Sequence, residues 1–240
     1  MQFFKSHCCN DDVILIKVKS FDCFCFDNIS LITNRFTGIG ANYVLLFNES
    51  NDFKIFNSDG HELAFCESAI ACFVKYLNCD YSVLNSQLGK ILVKNLEEEK
   101  TLIELPKKFF IKKTKDFFIL EHDFIKKRFF DHLIYKFFIV DDCSKINLEI
   151  YRELNFVVSF LSHHNSFWNI RTIKPNQKES FSCCSTAFVA YNLIIHLGHK
   201  NFYIKYNNQK IFYKTDSEKT FQVANTQTVA EIKVLQGVYE

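Results

Sequence analysis

The first half of the chain runs as short apolar stretches separated by polar turns, and then its period changes. Residues 12–20 (DVILIKVKS) and 21–28 (FDCFCFDN) carry apolar positions in runs or in alternation, which predicts two strands. Residues 42–48 (NYVLLFN) and 53–60 (FKIFNSDG) predict a hairpin around NESND, with turn residues closing its far end. After Cys66, the residues Ile70, Phe73, Val74 and Leu77 fall at i, i+3, i+4 and i+7, one face of a helix. Residues 90–106 predict a second hairpin around EEE, ending at Pro106.

The second half follows the same order. KDFFILEH and LIYKFFIVDD predict strands, and residues 146–154 (INLEIYREL) a short helix. Residues 155–162 (NFVVSFLS) and 167–174 (FWNIRTIK) predict a hairpin whose turn holds His163 and His164. A loop then leads to Cys183. Phe188, Tyr191 and Ile195 beyond it mark a helix face, with Gly198 as its stop. Each half therefore reads as strands, a hairpin, a loop, a cysteine, a helix and more strands. The cysteines also share a frame: Glu62, Cys66 and Ser68 answer to Glu179, Cys183 and Ser185. A duplication into two closely packed lobes accounts for both correspondences.

Composition narrows the class. With 240 residues and 48% hydrophobic content, the chain can bury a core of one large domain or two smaller ones. Its net charge is +2 with the two signs interspersed, so a nucleic-acid partner is not expected. The segment 107–118 (KKFFIKKTKDFF) interleaves basic and aromatic residues, but its alternation is that of a solvated strand face. Phe is abundant (28) while Gly (6) and Pro (2) are scarce, a bias that fits AT-rich codons. No signal peptide and no membrane-spanning run are expected, which points to a reduced, cytoplasmic protein. Ten cysteines in such a chain are not read as a disulfide scaffold, and their spacings do not suit zinc; no metal is expected.

A cysteine at a helix start lies among unpaired N–H groups and a partial positive charge, which favour thiolate and bind carboxylates. Two such starts sharing one cleft would suit an amino acid. One thiolate could remove the Cα proton while the other thiol protonates the opposite face, without a cofactor. A disulfide pair, a redox sensor and two unrelated buried cysteines remain as rival readings of the same residues.

Longer stretches carry a resemblance. MQFFKSHCCNDD at the start is similar to M-x-F-x-K-x-H-G-x-G-N-D; NRFTGIGANYVLLF to R-x-x-G-I-G-A-D-Q-x-L; and FNSDGHELAFCESAIACF to F-N-A-D-G-S-E-x-x-x-C-G-N-G-x-R-C. KESFSCCSTAFVA resembles G-E-T-x-A-C-G-S-G-A, ELNFVVSFLS a strand that begins with a substrate-binding asparagine, and TVAEIKVLQGVYE a closing G-P-A-x-x-V-F-E-G strand. These pieces, in this order, resemble the diaminopimelate epimerase family from Met1 to about Gly237.

The resemblance implies an α+β fold of two pseudo-symmetric lobes, each a mixed β-sheet wrapped around a central helix, with the active site at the lobe interface. The lobes would be residues 1–112 and 113–227, with a terminal strand (about 228–240) returning to the first. It implies interconversion of LL- and meso-diaminopimelate, a step toward lysine and peptidoglycan precursors, without pyridoxal phosphate or metal. By resemblance Cys66 and Cys183 are the catalytic thiols, and Asn57 and Asn155 hold substrate. Glu67 and Ser68, then Cys184 and Ser185, occupy the anion-cradling helix starts. The resemblance leaves room for a homodimer.

The chain departs from the family pattern at the site itself. Glu67 replaces a glycine and Ser68 an asparagine, while Cys184 and Thr186 replace glycines. Asp11 stands for an asparagine, Leu133 and Tyr135 for an asparagine and a histidine, and Lys174 and Pro175 for a Glu-Arg pair. Lys174 would meet a substrate carboxylate as a point charge rather than a fork. A carboxylate at position 67 opposes both a thiolate and a substrate carboxylate.

Overall fold

A computed structural model describes residues 2–86, 89–96, 100–105, 109–122, 135–151, 153, 156–173, 179–180, 184–206, 209–216 and 219–232. The chain divides into two units. One comprises the residues up to Leu105 and those from Val223 onward; the other comprises the residues between.

The first unit grows from a buried apolar run. Val13, Ile14, Leu15 and Ile16 of β2 (Asp11–Lys17) are all fully buried, so this strand is covered on both faces. It pairs antiparallel with β1 (Gln2–Cys8) and parallel with β3 (Tyr43–Phe47). β4 (Phe53–Asn57) pairs antiparallel with β3, and the two-residue β5 (Glu62–Leu63) antiparallel with β4. Helix α1 (Asn28–Thr33) lies in the connection between the parallel strands β2 and β3. Its Ile29 and Ile32 join Phe3, Ile14, Ile16, Val44, Leu46 and Phe56 in one buried cluster.

The opposite face of this sheet receives α2 (Glu67–Leu77), which also contacts β7 (Gly89–Asn95) and β8 (Lys100–Leu105). All residues from Glu67 to Val74 are buried, so strands surround the first two turns of this helix. Phe73 meets Phe47 and Phe53 at 5.1 and 5.7 Å, and Tyr76 meets Phe4 at 4.7 Å. Asn78, with φ of 48°, ends the helix in the left-handed region. β6 (Tyr81–Ser86) pairs antiparallel with β7, and β7 with β8.

The strand expected at 21–28 is absent. Ser20 accepts a hydrogen bond from Asp22 N and opens a 3-10 turn at Phe21–Cys23, and α1 follows. Alternating aromatics here pack on the α1 side of the core rather than form a sheet face: Phe24 is buried and Phe26 lies 5.3 Å from Phe56.

The second unit contains β9 (Phe109–Lys113), β10 (Phe118–His122) and β11 (Tyr135–Ile139), joined antiparallel in that order. β12 (Val157–His164) runs parallel to β11 and antiparallel to β13 (Phe167–Ile173). β13 then pairs antiparallel with β14 (Glu179–Ser180) and parallel with β15 (Tyr203–Tyr206), which pairs antiparallel with β16 (Gln209–Asp216). Helix α3 (Cys184–His196) contacts β9, β11, β15 and β16. Its Ala187, Ala190, Leu193 and Ile194 are fully buried, and Tyr191 stacks on Tyr213 at 4.6 Å. Ile195, assigned by spacing to the packed face, is 40% exposed.

The expected short helix at 146–154 is a single 3-10 turn, Leu148–Tyr151. His163 and His164 lie in β12, opposite Trp168 and Phe167, and not in the turn. Asn165, with φ of 45°, makes that turn instead. The last strand, β17 (Lys219–Ile232), pairs antiparallel with β1 from Thr226 to Ile232. The boundary read at 112/113 falls inside β9, and the units part at Leu105.

The two units repeat one topology. β2–β3 and β11–β12 are parallel pairs; β3–β4 and β12–β13 are antiparallel hairpins; β5 and β14 each add two residues antiparallel to the hairpin's second strand. A helix follows in both. β5 and β14 begin 117 residues apart (62 and 179), and so do α2 and α3 (67 and 184). The Glu-x3-Cys-x-Ser echo thus spans the same succession of a two-residue strand and a helix in each unit.

Candidate active site

The site in the first unit forms where the β1–β2 turn meets the start of α2. Cys66 is the N-cap residue of α2, extended at φ −151° and ψ 113°, and its carbonyl accepts the first helical bond from Ile70 N at 3.0 Å. Glu67 and Ser68 form the first turn, where backbone N–H groups lack helical partners. Cys66 is 7% exposed, Glu67 4%, and Ser68 fully buried.

Asp11, the first residue of β2, is buried as well, and its Oδ2 accepts from Ser68 Oγ at 2.8 Å. This bond joins residues 57 positions apart and ties the β1–β2 hairpin to the α2 start. A buried carboxylate is costly without donors, and a helix start is a favourable place for one. The helix start read as an anion cradle therefore already carries one carboxylate of the chain itself, Asp11, and a second buried acidic residue, Glu67, in its first turn.

Asn57 ends β4 and organises the turn to β5. Its Oδ1 accepts from Asp59 N at 3.1 Å and His61 N at 2.8 Å, and its own N–H donates to His61 O at 3.0 Å. Gly60, at φ 82°, permits the tight return. Because Oδ1 serves the turn, the Nδ2 group is the part of Asn57 that can address a ligand.

Several residues of the family pattern turn out to be scaffold. Lys5 Nζ donates to Gly40 O at 2.7 Å and Ile39 O at 3.2 Å. Arg35 Nη1 meets Asp12 Oδ2 at 2.8 Å, and Arg35 Nη2 donates to Asn42 Oδ1 at 3.0 Å. Asn42 Oδ1 also accepts from Asp12 N at 3.1 Å. A Cβ on Gly38 would collide with Leu31 O and lie 2.7 Å from Ile32 O. These residues fix the loop after α1 against the β1–β2 hairpin; sequence reading left Lys5, Asp12 and Arg35 without a role, although their place in the pattern marked them.

In the second unit, Cys184 and Ser185 are the first residues of α3, and β14 is the strand before it. Cys183, Asn155 and Lys174 lie outside the described residues, as do Leu133 and Pro175; Tyr135 opens β11. The structure thus gathers Asp11, Cys66, Glu67 and Ser68 at one helix start. Asn57 sits at the end of β4, the strand that β5 pairs with just before Cys66. Among the described residues no group of three His, Cys, Asp or Glu side chains is placed to hold a metal ion, and no helix is long and apolar enough to cross a membrane.

One other polar centre stands apart. Arg171 Nη1 donates to the carbonyls of Cys143, Ser144 and Ile146 at 2.9–3.1 Å, and so ties a 3-10 turn to β13. Burial pushes the Cys143 thiol above its ordinary pKa, against a hydrogen bond from Ser162 that lowers it. Hydrogen bonds from Ser144 hold the Asp142 carboxyl below its usual value.

No family model matches the chain, and no curated protein does. Solved structures do. A predicted epimerase from Pseudomonas aeruginosa is similar over 98% of this chain and 99% of its own, with a TM-score of 0.69 at 11% identity. A phenazine biosynthesis protein of the PhzF family from Enterococcus faecalis is similar over 98% of this chain and all of its own, with a TM-score of 0.66 at 14% identity. A hydroxyproline epimerase from Agrobacterium vitis, solved with trans-4-hydroxy-L-proline, is similar over all of this chain and 96% of its own, with a TM-score of 0.54 at 11% identity. At these identities the likeness is one of fold: the chain has the α+β fold of these proteins over its whole length.

Proposed function

We propose that this chain is a cofactor-independent amino acid epimerase that interconverts LL- and meso-diaminopimelate, with Cys66 and Cys183 as its acid and base. The observation that supports this reading is the doubled succession of a two-residue strand and a helix, β5 to α2 and β14 to α3, at one offset, with Cys66 at the N-cap of α2. The epimerase descriptions of two fold neighbours support the reaction class.

In this scheme one thiolate takes the Cα proton, and the electron pair passes into the substrate carboxylate. Helix-start N–H groups stabilise the charge that develops there. The other thiol delivers its proton to the opposite face of the carbon. Thiol and thiolate have then exchanged roles, and turnover in the reverse direction restores them. Asn57 Nδ2, aimed by the turn that holds its Oδ1, and Asn155 and Lys174 orient the substrate.

The test is deuterium incorporation from solvent into the Cα of LL-diaminopimelate, with formation of the meso isomer. Cys66→Ala and Cys183→Ala each abolish stereoinversion; normal turnover in either variant eliminates the two-thiol scheme. A second reading, a binding protein of the same fold that has lost the reaction, is favoured by one observation: Asp11 and Glu67 are buried at the α2 start, where the substrate carboxylate would bind. It predicts ligand binding with no exchange, and no effect of either cysteine substitution.

A further inference from the structure

Cys8 ends β1 and Cys9 begins the two-residue turn to β2. Their sulfurs lie 3.6 Å apart, with Cys8 Sγ donating toward Cys9 Sγ. The turn has φ of 51° at Cys9 and 65° at Asn10, the two positive values of a type I′ hairpin. Asn tolerates this region; cysteine is unusual in it. Cys8 is fully buried and Cys9 half-buried, so an oxidant reaches the pair through Cys9.

We propose that Cys8 and Cys9 form a reversible oxidation site, and that closing them into a vicinal disulfide displaces Asp11 and loosens the start of α2. With a peroxide as oxidant, the Cys9 sulfur attacks one oxygen and releases water, leaving a sulfenic acid. The Cys8 sulfur then displaces the second oxygen as water. Two electrons pass from the sulfurs to the peroxide, and the thiol protons leave in the two waters.

Geometry makes this bond regulatory rather than structural. Adjacent Cα atoms stand about 3.8 Å apart across a trans peptide. Disulfides prefer at least about 4.4 Å, and strain of this kind makes them more easily reduced. The sulfurs must also close from 3.6 Å to about 2.05 Å, so the turn has to twist.

The twist reaches the site by a short route. Cys8 and Asp11 are the rung that closes the hairpin, so their side chains leave the sheet on the same face. Ring closure draws the Cys8 sulfur from its buried position toward Cys9. The next group on that face is the Asp11 carboxylate, held 2.8 Å from Ser68 Oγ in the first turn of α2. The dithiol itself stands on this geometry alone; its effect on catalysis rests on the reading under Proposed function.

The experiment uses the full chain, equilibrated in glutathione buffers from reducing to oxidising, alkylated and cleaved with trypsin. Cleavage after Lys5 and Lys17 yields peptide 6–17, whose only cysteines are Cys8 and Cys9. Oxidation converts this peptide from doubly alkylated to an unalkylated form lighter by two hydrogens, and dithiothreitol reverses it. Amide exchange at residues 66–70 rises in parallel. Cys9→Asn, which suits the left-handed turn, loses the response. Peptide 6–17 remaining doubly alkylated, or linked to another cysteine, overturns the dithiol. An internal disulfide that leaves exchange at 66–70 unchanged overturns the coupling. If no epimerase activity exists at any poise, the peptide and exchange readouts still decide the proposal.

Discussion

Asp11→Asn introduces the amide of the pattern that the sequence resembles and removes one negative charge from the α2 start. Asparagine keeps an oxygen that can accept from Ser68 Oγ, so the 2.8 Å tie to the helix survives as a neutral bond and the fold is retained. The electrostatic consequence is larger. A substrate carboxylate bound to the N–H groups of Glu67 and Ser68 would share the helix start with the Asp11 carboxylate, and two like charges about 5 Å apart at an effective dielectric near 20 repel by about 3 kcal/mol. At about 1.4 kcal/mol per tenfold, removing that repulsion raises kcat/KM for diaminopimelate about a hundredfold. The assay is deuterium incorporation at several substrate concentrations, with circular dichroism as the check on folding. Most of the gain falls in KM if the charge acts on binding alone. Because Asp11 is buried, the ratio of variant to wild type changes little with salt. An unchanged or lower kcat/KM in folded Asp11→Asn protein refutes the idea that this carboxylate opposes the substrate.

Three further outcomes are expected. Gly38→Ala, whose Cβ would collide with the carbonyl of Leu31, destabilises the first unit by about 3 kcal/mol or more; Gly60→Ala, strained only by its φ of 82° with open space around it, costs about 1–2 kcal/mol; urea titration of both variants checks the ranking. Asn57→Asp keeps the acceptor for Asp59 N and His61 N but loses the Nδ2 donor, so substrate affinity drops while the urea midpoint holds; a matched loss of stability would assign Asn57 to the turn alone. Cys143 has a pKa raised in the folded state, so the folded chain holds that proton more tightly than the unfolded chain; its contribution is complete below the ordinary thiol value and fades as pH rises through the folded one, and the midpoint difference between wild type and Cys143→Ala narrows over that alkaline range.

What could be read from the sequence was whatever a local period reports. The β3–β4 and β12–β13 hairpins, the β7–β8 hairpin and both helices after the echoed cysteines stand where the patterning put them. Residues 21–28 failed because alternation is also what results when aromatics from a 3-10 turn and a short helix drop into a core one by one. His163 and His164 failed because polar type suggested a turn, whereas stacking of His163 on Trp168 at 4.8 Å and of His164 on Phe167 at 5.4 Å holds both in the strand. At the site, the resemblance named Asp11, Glu67 and Ser68, but neither the burial of the two carboxyls nor the Asp11–Ser68 bond has any local signature. They arise from the contact of β1 and β2 with α2, a long-range event.

The pattern of retained and altered residues bears on the second reading. Lys5, Asp12, Arg35, Gly38 and Gly40 match the family stretches, and each has a structural task that its neighbours impose: the Lys5 cation on two loop carbonyls, the Arg35–Asp12 ion pair, a glycine under a carbonyl, a positive φ of 78°. Retention of these residues therefore speaks for the fold and is silent on catalysis. Asn57 is divided, since its oxygen serves the turn and its nitrogen does not. The altered positions of the first unit, Asp11, Glu67 and Ser68, all meet at one helix start. They are mutually consistent, because the serine donates to the carboxylate. A site that simply decayed would leave unmatched polar groups in so buried a place, at a cost of about 1–3 kcal/mol each. The Asp11–Ser68 pair instead reads as a repacked helix start, which either tunes the first half of the site for slow turnover or closes it to carboxylates. Asp11→Asn separates these outcomes: a repacked enzyme gains rate from it, and a closed site gains none.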